Sequence, residues 1–290
     1  MTTVLTNAEG YNTKRMEFSK PEVGTIQNGD APAIKYRRIK ILTRNPDNSV
    51  GDLIVPTSEV FSYGIQENIS PETNKVNGYI MALCLWKKDG PTKEENTFTD
   101  TFNNIIECCK DYLLKNKDVL ELYELDSSEL KKFNPLYWKK EKGKIVDGKG
   151  PTLYAKLITS KKNILTYFTN SETGEDIVPL DLLKKYCFVE GAIKFESIYI
   201  GNKISLQIKL HEGIVRLLNT GISRLLTRPK PSEKVTVNLE TAQNALEGSG
   251  EDVESSSESE KGSLHESSES EEEAAAPPPK IVRRKVVKKK

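Results

Sequence analysis

The chain has 290 residues, room for one large or two small domains, and with 36% apolar and 29% charged residues it holds too little apolar surface to fold throughout. Its net charge of +1 conceals three unlike parts: residues 248–276 carry ten acidic side chains and one lysine, residues 277–290 carry seven basic side chains and no acid, and the first 247 residues are left at +3. Not expected are a leader in MTTVLTNAEGYNTKR, a membrane span in YIMALCLW (79–86), a disulfide or zinc framework from Cys84, Cys108, Cys109 and Cys187, and histidine chemistry from His211 and His265.

A soluble intracellular protein with reduced thiols and no cofactor is therefore expected. Residues 1–30 are polar and rich in Gly, Asn and Thr, and read as an arm with little core of its own. IKYRRIKIL from residue 34 and GDLIVP at 51–56 read as strands, the second stopped by Pro56. YIMALCLW is apolar at every position and reads as a buried strand. Between residues 99 and 117 the period changes, and Phe102, Ile105, Ile106, Cys109, Tyr112 and Leu113 mark one face of an amphipathic helix. Strands resume with PTLYAKLI (151–158) and ILTYFT (164–169), followed by a short helix over PLDLLKKY (179–186).

The stretch FESIYIGNKISLQIKLH (195–211) reads as a β-hairpin closed by Gly201-Asn202. That register sets Lys194 opposite Lys209, and like charges directly across a strand pair repel. Ile193, Phe195, Ser197 and Tyr199 would share the core side with Ile204, Leu206, Ile208 and Leu210. Lys194, Glu196, Ile198, Ile200, Lys203, Ser205, Gln207 and Lys209 would share the other. Either Glu196 neutralises the two lysines, or an external phosphate backbone does.

Several strands and one substantial helix predict an α+β, mainly β fold, a barrel-like sheet with helical insertions and a disordered C-terminal tail. No βαβ rhythm and no phosphate-binding glycine loop favours a doubly wound fold. The folded region is expected over residues 31–228. An acidic tail follows over 229–276, Ser/Glu-rich from Gly248, and then a basic terminus, 277–290. Within the tail Ser255, Ser257, Ser263, Ser268 and Ser270 each precede a glutamate by three residues, the pattern acidophilic kinases prefer.

Residues 131–162 hold ten lysines and two acids, Glu141 and Asp147, interleaved with Phe133, Tyr137, Trp138 and Tyr154. Lysines that track a backbone beside rings on which bases stack form a single-strand binding groove. The competing reading makes the rings core and the lysines solvated surface. No constellation supports catalysis: Glu94-Glu95 and Asp126 with Glu129 read as surface charge, and a metal nuclease needs clustered carboxylates.

GPTLYAKLI (150–158), ILTYF and CFVEGAIKFESIYIGNKISLQIKLHEGIV (187–215) resemble the poxvirus-type single-stranded DNA-binding proteins of nucleocytoplasmic large DNA viruses. GDLIV, FSYGIQE, GYIMALCLW and PLYWKKEKGK resemble the algal and giant-virus branch. The likeness spans about residues 34–215. It implies an OB-fold that coats single-stranded DNA without sequence preference during viral genome replication. It also implies that Tyr154, Lys156, Phe168, Lys194, Lys203 and Lys209 belong to or border the groove. Lys139, Lys140, Lys142 and Lys144 complete the expected binding set.

The expected partner is single-stranded DNA, with RNA as the alternative ligand. Replication proteins are expected to meet the acidic tail, in the nucleus or a cytoplasmic factory of an infected cell, and the protein could also be packaged in the virion. A virion or chromatin-associated structural protein acting through that tail is the rival class.

Overall fold

The computed structural model describes residues 3–27, 33–70, 74–86, 90–146, 148–161 and 163–218. The acidic tail and basic terminus expected over 229–290 lie outside the described residues. In chain order the strands are β1 (Met16–Phe18), β2 (Glu22–Ile26), β3 (Ile34–Arg44), β4 (Val50–Pro56), β5 (Val60–Ile69) and β6 (Val76–Cys84). The helix α1 (Lys93–Lys115) follows, then β7 (Leu136–Tyr137), β8 (Lys140–Glu141), β9 (Lys144–Ile145) and β10 (Thr152–Leu157). The remainder are β11 (Thr159–Ser160), β12 (Asn163–Ile164), β13 (Tyr167–Asn170), β14 (Cys187–Ile200) and β15 (Ile204–Leu217).

Five of these strands close on themselves. β5 pairs with β6, β6 with β10, and β14 with β5, all antiparallel. β10 then runs parallel to β15, and β15 returns antiparallel to β14. Alternation decides what lies inside. Ile65, Met81, Leu83, Leu153, Ala155, Leu157, Val189, Ile193, Phe195 and Leu210 point inward and are buried, so the ring is filled by its own side chains. Beyond the ring, β14 continues along β4 and β3, and β3 carries β1 and β2. The segment read as an arm thus contributes two strands, and Met16 enters the core.

The helix begins earlier than its apolar period indicates. Thr92 accepts from the Glu95 backbone N–H at 3.2 Å while the Glu95 carboxylate accepts from the Thr92 N–H at 2.7 Å, a reciprocal box that satisfies two otherwise orphaned donors. Phe98, Phe102, Ile105, Ile106, Cys109 and Leu113 are buried, and Phe102 meets Phe195 of the ring at 4.9 Å between centroids. Tyr112 sits at the edge of that face and stacks on Phe18 at 4.0 Å. Thr92→Ala is expected to cost about 1 kcal/mol, read as a fall of roughly 2–4 °C in melting temperature. Over 179–186 only a single 3-10 turn forms, Pro179–Leu182. Among the described residues no helix is long and apolar enough to cross a membrane.

The hairpin joins its strands through Gly201, Asn202 and Lys203, one residue more than the two-residue turn expected, so Ile200 faces Ile204 and Tyr199 faces Ser205. A bulge at Glu196 then removes the extra residue, and Lys194 faces Lys209 after all. Between bulge and loop the faces are exchanged relative to the expectation. Ile198 and Ile200 are buried on the core side, whereas Ser197 and Tyr199 join Ser205 and Gln207 on the lysine side. Lys203 lies in the loop rather than on a strand face.

Candidate nucleic-acid interface

The outward side chains of the ring fall into rows that cross the strands in register. One row reads Arg216 on β15, Phe188 on β14, Phe61 on β5, Cys84 on β6, Thr152 on β10 and Tyr137 on β7. The neighbouring row sets Tyr154 of β10 opposite Ala82 of β6, which faces the bulged Tyr63-Gly64 of β5. A third row aligns Lys194, Lys209 and Lys156 across β14, β15 and β10.

Aromatic rings dominate the first two rows. Phe61 contacts Tyr63 at 5.2 Å, Tyr186 at 6.0 Å and Phe188 at 5.9 Å between centroids, and Tyr137 meets Tyr154 at 6.4 Å. Tyr63, Tyr137, Tyr154 and Tyr186 are 45%, 45%, 39% and 56% exposed, so their rings are fixed by neighbours and still reachable. Such rings offer flat apolar faces with little side-chain freedom left to lose on binding. The Tyr63 phenol is pushed up by the adjoining Cys84 sulfur and by burial, partly offset by nearby Lys139, and burial raises both Cys84 and Tyr154. These groups are therefore uncharged at neutral pH.

Gly64 makes this arrangement possible. Its φ of +79° is left-handed, and a Cβ there would come within 2.5 Å of the Leu182 carbonyl oxygen and 2.6 Å of the Lys185 nitrogen. That close approach is fastened by the Lys184 N–H, which donates to the Ile65 carbonyl at 2.9 Å. It brings Tyr186 to 5.9 Å from Tyr63.

Positive charge borders the rings on several sides. The β8–β9 hairpin is a finger that turns through Lys142 (φ +51°) and Gly143 (φ +81°), the two-residue turn whose twist suits adjoining strands. Lys139, Lys140, Lys142 and Lys144 are all exposed on it, with Lys139 held by Glu141 at 3.0 Å. Lys184 and Lys185 are exposed beside Tyr186. Arg216 lies 4.5 Å over the Phe188 ring and is gripped by both Glu59 oxygens at 2.9 and 2.6 Å.

The lysine row answers its own repulsion in part. Lys194 is paired with Asp52 at 2.8 Å, Lys209 with Glu196 at 4.0 Å, and the Lys156 ammonium donates to Gln207 Oε1 at 3.2 Å. Glu196 plays the neutralising role foreseen for it. Asp52, 142 residues away in sequence, had no signal. The Lys209 side chain is only 12% exposed, so the weight of any phosphate contact moves from this row toward the finger.

One expected site residue is displaced altogether. Phe168 is 2% exposed, its ring packed where a Cβ on Gly213 would sit 3.3 Å away, and it cannot present a face to a base. The cause is Thr166, whose hydroxyl donates to the Leu210 carbonyl and accepts from the Ile158 N–H, both at 2.8 Å. Those bonds turn Thr166 inward, alternation turns Phe168 inward with it, and Tyr167 faces solvent instead. Conversely Phe61, Tyr63, Tyr186 and Phe188 were not anticipated. Their signal was the i, i+2 spacing in FSY and YCF.

The four cysteines are free, with the Cys109 thiol raised by burial and Cys187 pushed up to about 11 by the same cause. Among the described residues no group of His, Cys, Asp or Glu could hold a metal ion.

Residues 10–273 match the family described as a protein of unknown function, DUF2738. The chain belongs to the DUF2738 family. It is similar to the uncharacterized protein 007R of Invertebrate iridescent virus 3, with 27% identity over 188 residues that cover 62% of this chain and 38% of that protein. It is also similar to the Early 31 kDa protein of Frog virus 3 (isolate Goorha), with 31% identity over 158 residues that cover 53% of this chain and 59% of that one. The match thus spans less than two thirds of either relative. Both come from large DNA viruses, the setting expected from the motifs.

Proposed function

We propose that the protein is a non-catalytic single-stranded DNA-binding protein whose ring is an OB-fold and whose outer face coats unpaired strands in virus-infected cells. The observation that carries this reading is the register-aligned set of half-exposed aromatics, Tyr63, Tyr137, Tyr154 and Tyr186, beside an exposed lysine finger. Rings of this kind stack bases of any identity, and lysines neutralise phosphates and release their counterions.

The order of the ring supports it. Taking β5, β6, β10, β14 and β15 as first to fifth, the strands neighbour one another as first, second, third, fifth and fourth, closing back on the first, with third and fifth parallel. This order is what the OB-fold reading requires, and in such barrels the second and third strands form the usual oligonucleotide face. Here those strands carry Tyr154, Lys156, Ala82 and Cys84 outward. Relatives in an iridescent virus and a frog virus support the infected cell as its place of action, where exposed strands of a replicating viral DNA would be its ligand.

The test is a salt titration of binding to oligothymidylate, with duplex and matched RNA as competitors. On this reading log K falls linearly with log salt, and Lys140, Lys142 and Lys144 replaced by alanine reduce the magnitude of the slope by about 2, at ~0.7 per lost phosphate contact. Duplex competes poorly, because its bases are already stacked out of reach. Equal affinity for duplex at every salt, or an unchanged slope, rules the reading out.

A further inference from the structure

We infer that the stacked pair Tyr36–Tyr199, with Arg38 and Lys40 beside it, is a second base-stacking station outside the ring, so that a bound strand runs from the ring tyrosines across β15 and β14 onto β3. This rests on the proposed binding function and extends it to a surface that the ring does not contain.

Placement comes first. The bulge at Glu196 transfers Tyr199 to the face of Lys194, Lys209 and Gln207, as its pairing with Ser205 requires. On β3, Arg38 faces Tyr199 and Lys40 faces Ser197, so Tyr36, two residues before Arg38, shares that face. The two rings lie 5.2 Å apart at 24°. The outer face is therefore one surface across β3, β14, β15, β10, β6 and β5, with aromatics toward both ends.

Between the two stations lie Ser205 and the partly covered lysine row, which raise no apolar barrier, while Ser197 and Gln207 of the same face are buried. The second station is seated on glycine main chain. A Cβ on Gly24 would come within 2.7 Å of Tyr36 Cε1, and one on Gly201 within 2.7 Å of Tyr199 Cε1, so each ring lies close over bare backbone. Arg38 and the exposed Lys203 lie nearby, and Lys40 pairs with Glu22 at 2.8 Å.

Spacing supplies the test. At ~4.8 Å per interstrand step, Tyr199 on β14 lies two steps, about 10 Å, across from the Tyr154 strand. Stacked nucleotides rise ~3.4 Å each, so an oligomer of about two nucleotides occupies one station and a long one reaches both. The full-length protein is titrated with oligothymidylates of about two and about sixteen nucleotides, the longer one at the upper end of what single OB-folds occupy. The expected result is that Tyr36→Ala with Tyr199→Ala lowers affinity for the long oligomer by about tenfold and leaves the short one unchanged, while Tyr154→Ala weakens both.

If the double variant binds the long oligomer as well as the unaltered protein does while Tyr154→Ala weakens it, the second station is refuted and the ring site stands. If the unaltered protein binds neither oligomer, the proposed function fails and this inference with it. Should the double variant not fold, photocrosslinking of an iododeoxyuridine oligomer to the unaltered protein decides. A crosslink on the peptide holding Tyr199 upholds the station, and crosslinks confined to peptides holding Tyr63, Tyr137 and Tyr154 overturn it.

Discussion

A protein carrying both Tyr63→Ala and Tyr154→Ala is expected to keep its fold and to lose roughly 30-fold to 10⁴-fold in affinity for oligothymidylate. Each base stacked on a ring contributes ~1–3 kcal/mol, so two lost platforms remove ~2–6 kcal/mol at about 1.4 kcal/mol per tenfold. The two tyrosines flank Ala82 from β5 and β10, and both are more than a third exposed, so their removal opens no cavity in the ring. Fluorescence anisotropy measures the affinity, and a thermal melt establishes that the fold survives. An affinity within threefold of the unaltered protein, with the melt unchanged, would place the binding surface elsewhere.

Gly64→Ala is expected to act through the fold instead. A left-handed φ costs a non-glycine residue ~1–3 kcal/mol, and here the added methyl also meets main-chain atoms of Leu182 and Lys185 that no rotamer change can move. The combined penalty is about 3 kcal/mol or more, seen as a fall of about 1 M or more in the urea midpoint. Because the same contact seats Tyr186 against Tyr63, affinity for single strands should fall even under conditions where the variant is still folded. An unaltered midpoint would mean that the 182–185 segment yields readily, and the rigid aromatic cluster would lose its basis.

What the residues revealed in advance followed the strength of their periodic signals. β3, β4 and α1 announce themselves through β-branched runs and a three-and-four spacing. β5 does not, because Tyr63-Gly64 forms a bulge and breaks the alternation that FSYGIQENI would otherwise display. The segment 179–186 has helical composition but only one 3-10 turn, since it is tied down by the Lys184 bond to β5. The pairing of Lys194 with Lys209 was anticipated only because two departures cancel, an extra loop residue and a bulge.

The site divides in the same way. Tyr154 and the finger lysines were visible in composition and lie together at the surface. Phe168 was assigned to the wrong side because the hydroxyl of Thr166, not hydrophobicity, sets the orientation of its strand. The aromatics of β5 and β14 come from segments more than a hundred residues apart, and only the closing of the ring makes them neighbours.

The two irregularities of the hairpin bear on how this region can change. Deleting Glu196 would make inward Phe195 and outward Ser197 neighbours in ordinary alternation, so every side chain from Ser197 to Ile200 would keep its face and its partner on β15. Removing one of the three loop residues would likewise leave Ile200 opposite Ile204, now across a two-residue turn. The hairpin therefore tolerates the loss of a residue at either irregularity, and its tip and its kink are free to drift in length independently.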